Sequence, residues 1–146
     1  MKFFSKACTY GIRAALYLAS RQEKEPYVPI REISAKLDIS FHFLTKIIQV
    51  LTEKKLVNSF RGPNGGVMLA RPASEISLED LVLALEGPQF FEGCVLQLPG
   101  CGDLTPCPFH ESWGPLRDTF KLRFRQTSLE EMNRQIKANG LRLGLR

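Results

Sequence analysis

The sequence predicts a mainly α-helical chain with a small β-hairpin wing, that is, a winged helix-turn-helix followed by a long C-terminal helix. Three observations predict it. Apolar residues recur at helical spacing through most of the chain. Two short helical patterns are separated only by Asp38-Ile39-Ser40, the form of a helix-turn-helix. Directly after them, Gly62-Pro63-Asn64-Gly65-Gly66 lies between two short β-favouring runs, the pattern of a hairpin.

Each element has its own signal. A first helix is expected from Ser5 to about Arg21, with Ile12, Ala15, Leu16 and Ala19 as its apolar stripe. Pro29 opens a second, short helix through Leu37, where Ile30, Ile33 and Leu37 fall on one face. Ser40 is a suitable N-cap for a third helix to about Lys54, buried through Leu44, Ile47, Ile48 and Leu51. That helix would present His42, Thr45, Lys46 and Gln49 outward.

Leu56 to Arg61 and Val67 to Ala70 form the two arms of the hairpin, and the Asn64-Gly65 step favours its tight turn. Gly62, Gly65 and Gly66 would let the backbone approach a polyanion closely, and Arg61 stands at the base of the wing, placed to reach a narrow minor groove. Ser77 caps a fourth helix that stops at Gly87. Residues 88–108 show no period, and an aperiodic stretch of this length is commonly functional. A long helix is expected from about Pro108 to Gln126, with Trp113, Leu116, Phe120 and Phe124 on one side and an interruption at Gly114-Pro115. Ser128 and Glu131 suit a capping box for a last helix carrying Leu129, Met132 and Ile136, followed by a frayed tail to Arg146.

Charge divides the chain. Residues 1–75 carry 12 Lys and Arg against 6 Asp and Glu, whereas residues 76–146 carry 8 against 9. A basic first half favours a polyanionic partner. We therefore expect a DNA-binding unit over 1–75 and a cysteine loop with pairing helices over 76–146. The 146 residues contain neither a membrane-length apolar run nor a signal-peptide pattern, so a cytoplasmic protein without a membrane partner is expected.

Three of the four cysteines, Cys94, Cys101 and Cys107, fall in the aperiodic stretch, and His110 follows. Pro99, Gly100, Gly102, Pro106 and Pro108 let such a loop bend its thiols toward one point. The intervening gaps of six, five and two residues lack the paired C-x-x-C of structural zinc. Mostly thiolate ligation with one imidazole suits an iron-sulfur cluster instead. The same spacing is also compatible with three unrelated thiols.

Ser5-Lys6 through Tyr10-Gly11-Ile12-Arg13-Ala14, the wing Arg61-Gly62-Pro63-Asn64-Gly65-Gly66 and the three-cysteine loop together resemble the Rrf family of bacterial winged-helix regulators. Within it, the likeness is to the iron-sulfur-cluster and nitric-oxide-sensing branch, the IscR and NsrR type. The resemblance implies a homodimer on a double-stranded DNA operator, with each recognition helix in a major groove and each wing in the adjacent minor groove. It implies that His42, Thr45 and Lys46 touch bases or phosphates and that Arg61 is the wing contact. It also implies one cluster per subunit, two-iron favoured and four-iron possible, on Cys94, Cys101 and Cys107.

This sequence departs from the family pattern at three points. The first cysteine gap is one residue longer than in the iron-sulfur-cluster regulator, Thr45 replaces a glutamate that discriminates operators, and Thr9 stands where related sensors carry a carboxylate ligand. The fourth ligand is thus His110, or else Cys8 or Thr9 of the partner subunit. A cluster-free or zinc-bound thiol-sensing repressor is the alternative function. A small iron-sulfur electron carrier ranks below both, because the chain has no second cluster motif and no nucleotide-binding glycine fingerprint. No nucleophile-base pair outside the cysteine loop suggests an enzyme.

Overall fold

A computed structural model describes residues 3–24, 26–100, 102 and 104–139. Six helices and one antiparallel hairpin follow in the order α1 (Lys6–Arg21), α2 (Ile30–Leu37), α3 (Phe41–Glu53), β1 (Val57–Phe60), β2 (Gly66–Leu69), α4 (Leu78–Glu86), α5 (His110–Gln126) and α6 (Leu129–Asn139). Single 3₁₀ turns at Ala73–Glu75 and Pro88–Phe91 flank α4.

Serine caps start four of these helices, α6 through the Ser128 hydroxyl, which accepts from the Glu131 N–H at 3.1 Å. The Ser5 hydroxyl accepts from the Cys8 N–H at 3.1 Å, and the Ser40 hydroxyl accepts from the Phe43 N–H at 3.5 Å. Ser77 and Asp80 form a reciprocal box, each side chain accepting from the other residue's N–H at 3.0 and 2.9 Å. Such caps satisfy amide donors that the first turn leaves without helical acceptors, at about 1 kcal/mol each. The connection between α2 and α3 turns on Asp38, which adopts φ 54° and ψ 51°. Aspartate tolerates this left-handed conformation, and it lets the Ile39 N–H return to the Ser34 carbonyl at 3.0 Å.

β1 and β2 pair in register from Val57 opposite Leu69 to Phe60 opposite Gly66. A third segment joins them, because the Val28 and Val67 amides each donate to the other's carbonyl at 2.9 Å. This bridge ties the wing to the connection between α1 and α2.

α1 lies at the centre and packs against α3, α4 and α6. Its buried Ile12, Ala15, Leu16 and Leu18 meet Leu44, Ile47, Ile48 and Leu51 of α3, Leu81 and Val82 of α4, and Leu129 of α6 in one continuous core. Full burial of each large aliphatic side chain stabilises by roughly 1.5–3 kcal/mol. The Leu129 N–H donates to the Ile76 carbonyl at 2.9 Å, closing α6 onto the segment before α4. One core therefore spans residue 75, where the sequence suggested a division.

α5 corrects one expectation, since it runs unbroken through Pro115. Proline removes the donor for the Glu111 carbonyl, but Glu111 is exposed and lies in the first turn of the helix. No α5 residue is buried. Of the apolar stripe, Phe124 docks on the body through the rings of Phe4 and Phe91, at 5.9 and 5.4 Å, and Phe120 meets the Phe3 ring at 5.6 Å while remaining exposed, as Leu116 does. The tail expected to fray lies mostly outside the described residues.

Cys8 belongs to the core and is completely inaccessible. Burial first, then the adjacent Glu86 carboxylate, pushes its thiol up to about 12. A thiol pKa raised on folding stabilises below its unfolded value near 9, and that stabilisation disappears as pH rises from about 9 to 12. Above pH 9, wild type should therefore lose up to about 1.4 kcal/mol more stability per pH unit than Cys8→Ala. Urea denaturation of both proteins across alkaline pH checks this; parallel losses would show that Cys8 does not titrate in this range.

Candidate functional site

Two regions assemble the candidate residues. On α3, His42, Lys46 and Gln49 are exposed and recur at helical spacing on one face. Thr45, expected among them, is only half-exposed, and its hydroxyl is engaged inside the helix, donating to the Phe41 carbonyl at 2.8 Å. Arg31 was not singled out from sequence, yet its guanidinium lies 4.6 Å from the Phe41 ring at the start of α3. This brings a further cation to the helix-turn-helix; its signal was a lone arginine in the first turn of α2.

The wing is positioned by the sheet and by α3, whose Thr52 hydroxyl meets the Ser59 hydroxyl at 3.2 Å. Arg61, Gly62, Pro63 and Asn64 are exposed at its turn, which closes through the Gly65 N–H to the Gly62 carbonyl at 3.0 Å. Gly62 has φ +132°, a conformation that favours glycine. A Cβ at Gly65 would collide with the Phe60 carbonyl oxygen. The glycines thus shape the turn itself, a role that precedes any approach to a polyanion.

The cysteine loop runs from the end of α4 to α5. Phe91 anchors its beginning in the core. Cys94 follows, half-buried, and its Sγ accepts from the Leu96 N–H at 3.4 Å while its carbonyl accepts from Gln97. Gln97 and Gly100 take left-handed conformations, with φ 55° and 67°, and Thr105 folds back to donate to the Gly100 carbonyl. Cys107 is only 8% exposed but packs outside the hydrophobic core.

Two bonds bring the ends of this loop to the first turn of α5. The Trp113 indole N–H donates to the Gly93 carbonyl at 3.1 Å, and the His110 N–H donates to the Cys107 carbonyl at 3.0 Å. Cys8 and Cys107 are free thiols. Cys101 lies outside the described residues. Among the described residues, no three His, Cys, Asp or Glu side chains group as a metal site.

The alternative ligands differ in access. Thr9 is exposed on α1, whereas Cys8 is sealed inside the core and held as a thiol by burial beside Glu86. Its place in the α1 stripe was readable, since Cys8 stands four residues before Ile12 on the same helical face. Around the loop, Val95, Leu96, Leu98 and Leu104 are exposed apolar side chains. Among the described residues, no helix is long and apolar enough to cross a membrane.

Known proteins are similar to this chain in sequence and fold. The sequence profile of the Rrf2 family, described as an iron-dependent transcriptional regulator, matches residues 4–135. Protein aau3 of Rhizobium meliloti is 39% identical over 110 residues, covering 75% of this chain and 67% of that protein. The HTH-type transcriptional regulator IscR of Photorhabdus laumondii is 32% identical over 132 residues, covering 90% of this chain and 79% of its own. Among solved structures, CymR (YrzC), the global cysteine regulator of B. subtilis, superposes with a TM-score of 0.77 at 26% identity, covering 91% of this chain and 97% of that one. These similarities identify the fold as a winged helix and give a transcriptional regulator rather than an enzyme: the chain belongs to the Rrf2 family of transcriptional regulators.

Proposed function

We propose that this chain acts as a homodimeric DNA-binding regulator whose operator affinity is set by an iron-sulfur cluster on Cys94, Cys101, Cys107 and His110. The carrying observation is the closure of the cysteine loop on α5. The bonds from Trp113 to Gly93 and from His110 to Cys107 hold the Cys94 and Cys107 ends at one helix terminus, where His110 begins α5. Cys107 is buried outside the hydrophobic core, so core packing does not account for it.

The donor set fits such a group. Thiolates are soft ligands, and a backbone N–H directed at sulfur, as from Leu96 to Cys94, stabilises a charged thiolate and tunes cluster potential. When bound, a cluster would supply a redox- and nitric-oxide-sensitive centre. The chain's own residues would relay its state: the loop begins at Phe91 in the core, and α4, which precedes it, packs on both α1 and α3.

Residues 1–75 read DNA in this proposal, through His42, Thr45, Lys46 and Gln49 on α3 and Arg61, Gly62, Asn64 and Gly65 on the wing. Residues 76–146 sense and pair, with the exposed Leu116 and Phe120 of α5, one helical turn apart, as the face for a second copy. A two-fold-related operator follows from that pairing.

Purification without oxygen, followed by a visible spectrum, metal and sulfide analysis and sedimentation, tests this reading. A brown dimer holding iron and acid-labile sulfide is expected. A colourless protein that binds DNA only while its thiols are reduced, or that carries zinc, would establish the thiol-sensing repressor instead.

A further inference from the structure

Phe60 is an exposed aromatic residue on the wing. It ends β1 with 54% of its surface exposed, directly before Arg61. The two-residue period of the strand places Val57 and Ser59 on one face and Asn58 and Phe60 on the other. Val57 is buried and Ser59 meets Thr52 of α3, so the Phe60 face is the one turned from the body.

The ring is nevertheless supported. Tyr27, beside the Val28 bridge, lies against it with centroids 5.3 Å apart and planes inclined by 31°. A Cβ placed on Gly62 would be 3.9 Å from Phe60 Cε1, so the ring also reaches the first glycine of the turn. With Tyr27 behind one side, the other side of a flat apolar ring faces water at the base of a wing whose next residue is a cation.

The walls of a DNA minor groove are deoxyribose carbons, and they offer an apolar surface between lines of phosphates. From this geometry we infer that Phe60, backed by Tyr27, packs on the sugar wall of the groove that Arg61 enters. The inference rests on the DNA-binding reading above and adds a contact of different chemistry to it. Arg61 supplies charge and Phe60 supplies apolar area, so Arg61 sets the salt dependence while Phe60 fixes how closely the wing seats. A ring with one side covered suits contact along the groove wall better than insertion between bases, which would need both sides free.

The test uses the duplex that wild-type full-length protein enriches from a randomised pool. Phe60→Ala should bind it about tenfold more weakly, the loss expected for removing a half-buried aromatic contact. The slope of log affinity against log salt should stay at the wild-type value, whereas Arg61→Ala should weaken binding and flatten that slope by about one. Hydroxyl-radical footprinting, which reads the exposure of sugar hydrogens, should show Phe60→Ala losing protection at the sugars under the wing while protection under α3 persists.

Phe60→Leu keeps apolar bulk in the strand without a flat face, and should melt like wild type while binding about threefold more weakly. It decides the matter if Phe60→Ala fails to fold. Wild-type affinity with an unchanged footprint in either folded variant would overturn the assignment and leave DNA binding intact, as would a flattened salt slope in Phe60→Ala. Failure of wild type to enrich any duplex would remove the DNA-binding reading itself.

Discussion

Cys107→Ala, purified without oxygen, is expected to lose essentially all bound iron and acid-labile sulfide, and Cys94→Ala and Cys101→Ala should do the same. A methyl group supplies neither the charge nor the soft donor of a thiolate. The fold should survive. Cys107 is buried but outside the core cluster that holds α1, α3, α4 and α6 together, so its truncation should cost about 1 kcal/mol. The proper reference is wild type stripped of metal, because a bound group stabilises the folded state by mass action. Cys8→Ala, by contrast, should keep its iron and sulfide, since Cys8 is sealed in the core beside Glu86. Full metal content in Cys107→Ala would remove it from the ligand set. Loss of the cluster in Cys8→Ala would instead favour ligation across the subunits, and unfolding of Cys107→Ala would indicate a structural metal.

Elements fixed by local chemistry were readable before the structure, and elements fixed by distant chain were not. Ser5, Ser40 and Ser77 marked helix starts because a cap needs only its own next three residues. The hairpin was equally local, with Asn64-Gly65 between two short strands. The bridge from Val28 to Val67 was not readable. Val28 stands between Tyr27 and Pro29 with no alternating run, and its partner is far along the chain. The 3₁₀ turn at Pro88–Phe91 was hidden for a similar reason, since its buried Phe91 is placed by the core.

For the candidate site, residue types were legible and environments were not. His42, Lys46 and Gln49 follow from helical periodicity and are exposed. Thr45 shares that face, but its hydroxyl turns back to Phe41, a competition that Ser and Thr commonly offer inside helices. The cysteines announce soft-ligand chemistry by composition, whereas the closure of their loop depends on Trp113, which the sequence suggested only as an apolar stripe residue. Its indole N–H, bonded to Gly93, does the positioning.

Gly66→Ala should damage the wing through its contact with the α1–α2 connection. A Cβ at this position would meet the Val28 carbonyl oxygen and lie 2.5 Å from its carbonyl carbon and 2.9 Å from the Pro29 nitrogen. All three are backbone atoms, so no side-chain rotation relieves the clash. Separation of the strands would strain the two 2.9 Å bonds between Val28 and Val67. Overpacking of this kind costs about 1–3 kcal/mol, and each weakened bond adds about 1 kcal/mol. A loss of about 3 kcal/mol should lower the melting temperature by roughly 10 °C in a chain of this size. DNA affinity should fall further than stability alone explains, because the bridge fixes the wing relative to α1 and α2. Gly114→Ala is the control, since among the described residues a Cβ there would meet nothing within 4 Å. Urea denaturation of both variants, with binding measured on the enriched duplex at a temperature where each is folded, decides the matter. Stability of Gly66→Ala within about 0.5 kcal/mol of wild type, the range of ordinary surface substitutions, would show that the wing can shift away from Val28 without loss and that the bridge does not hold it.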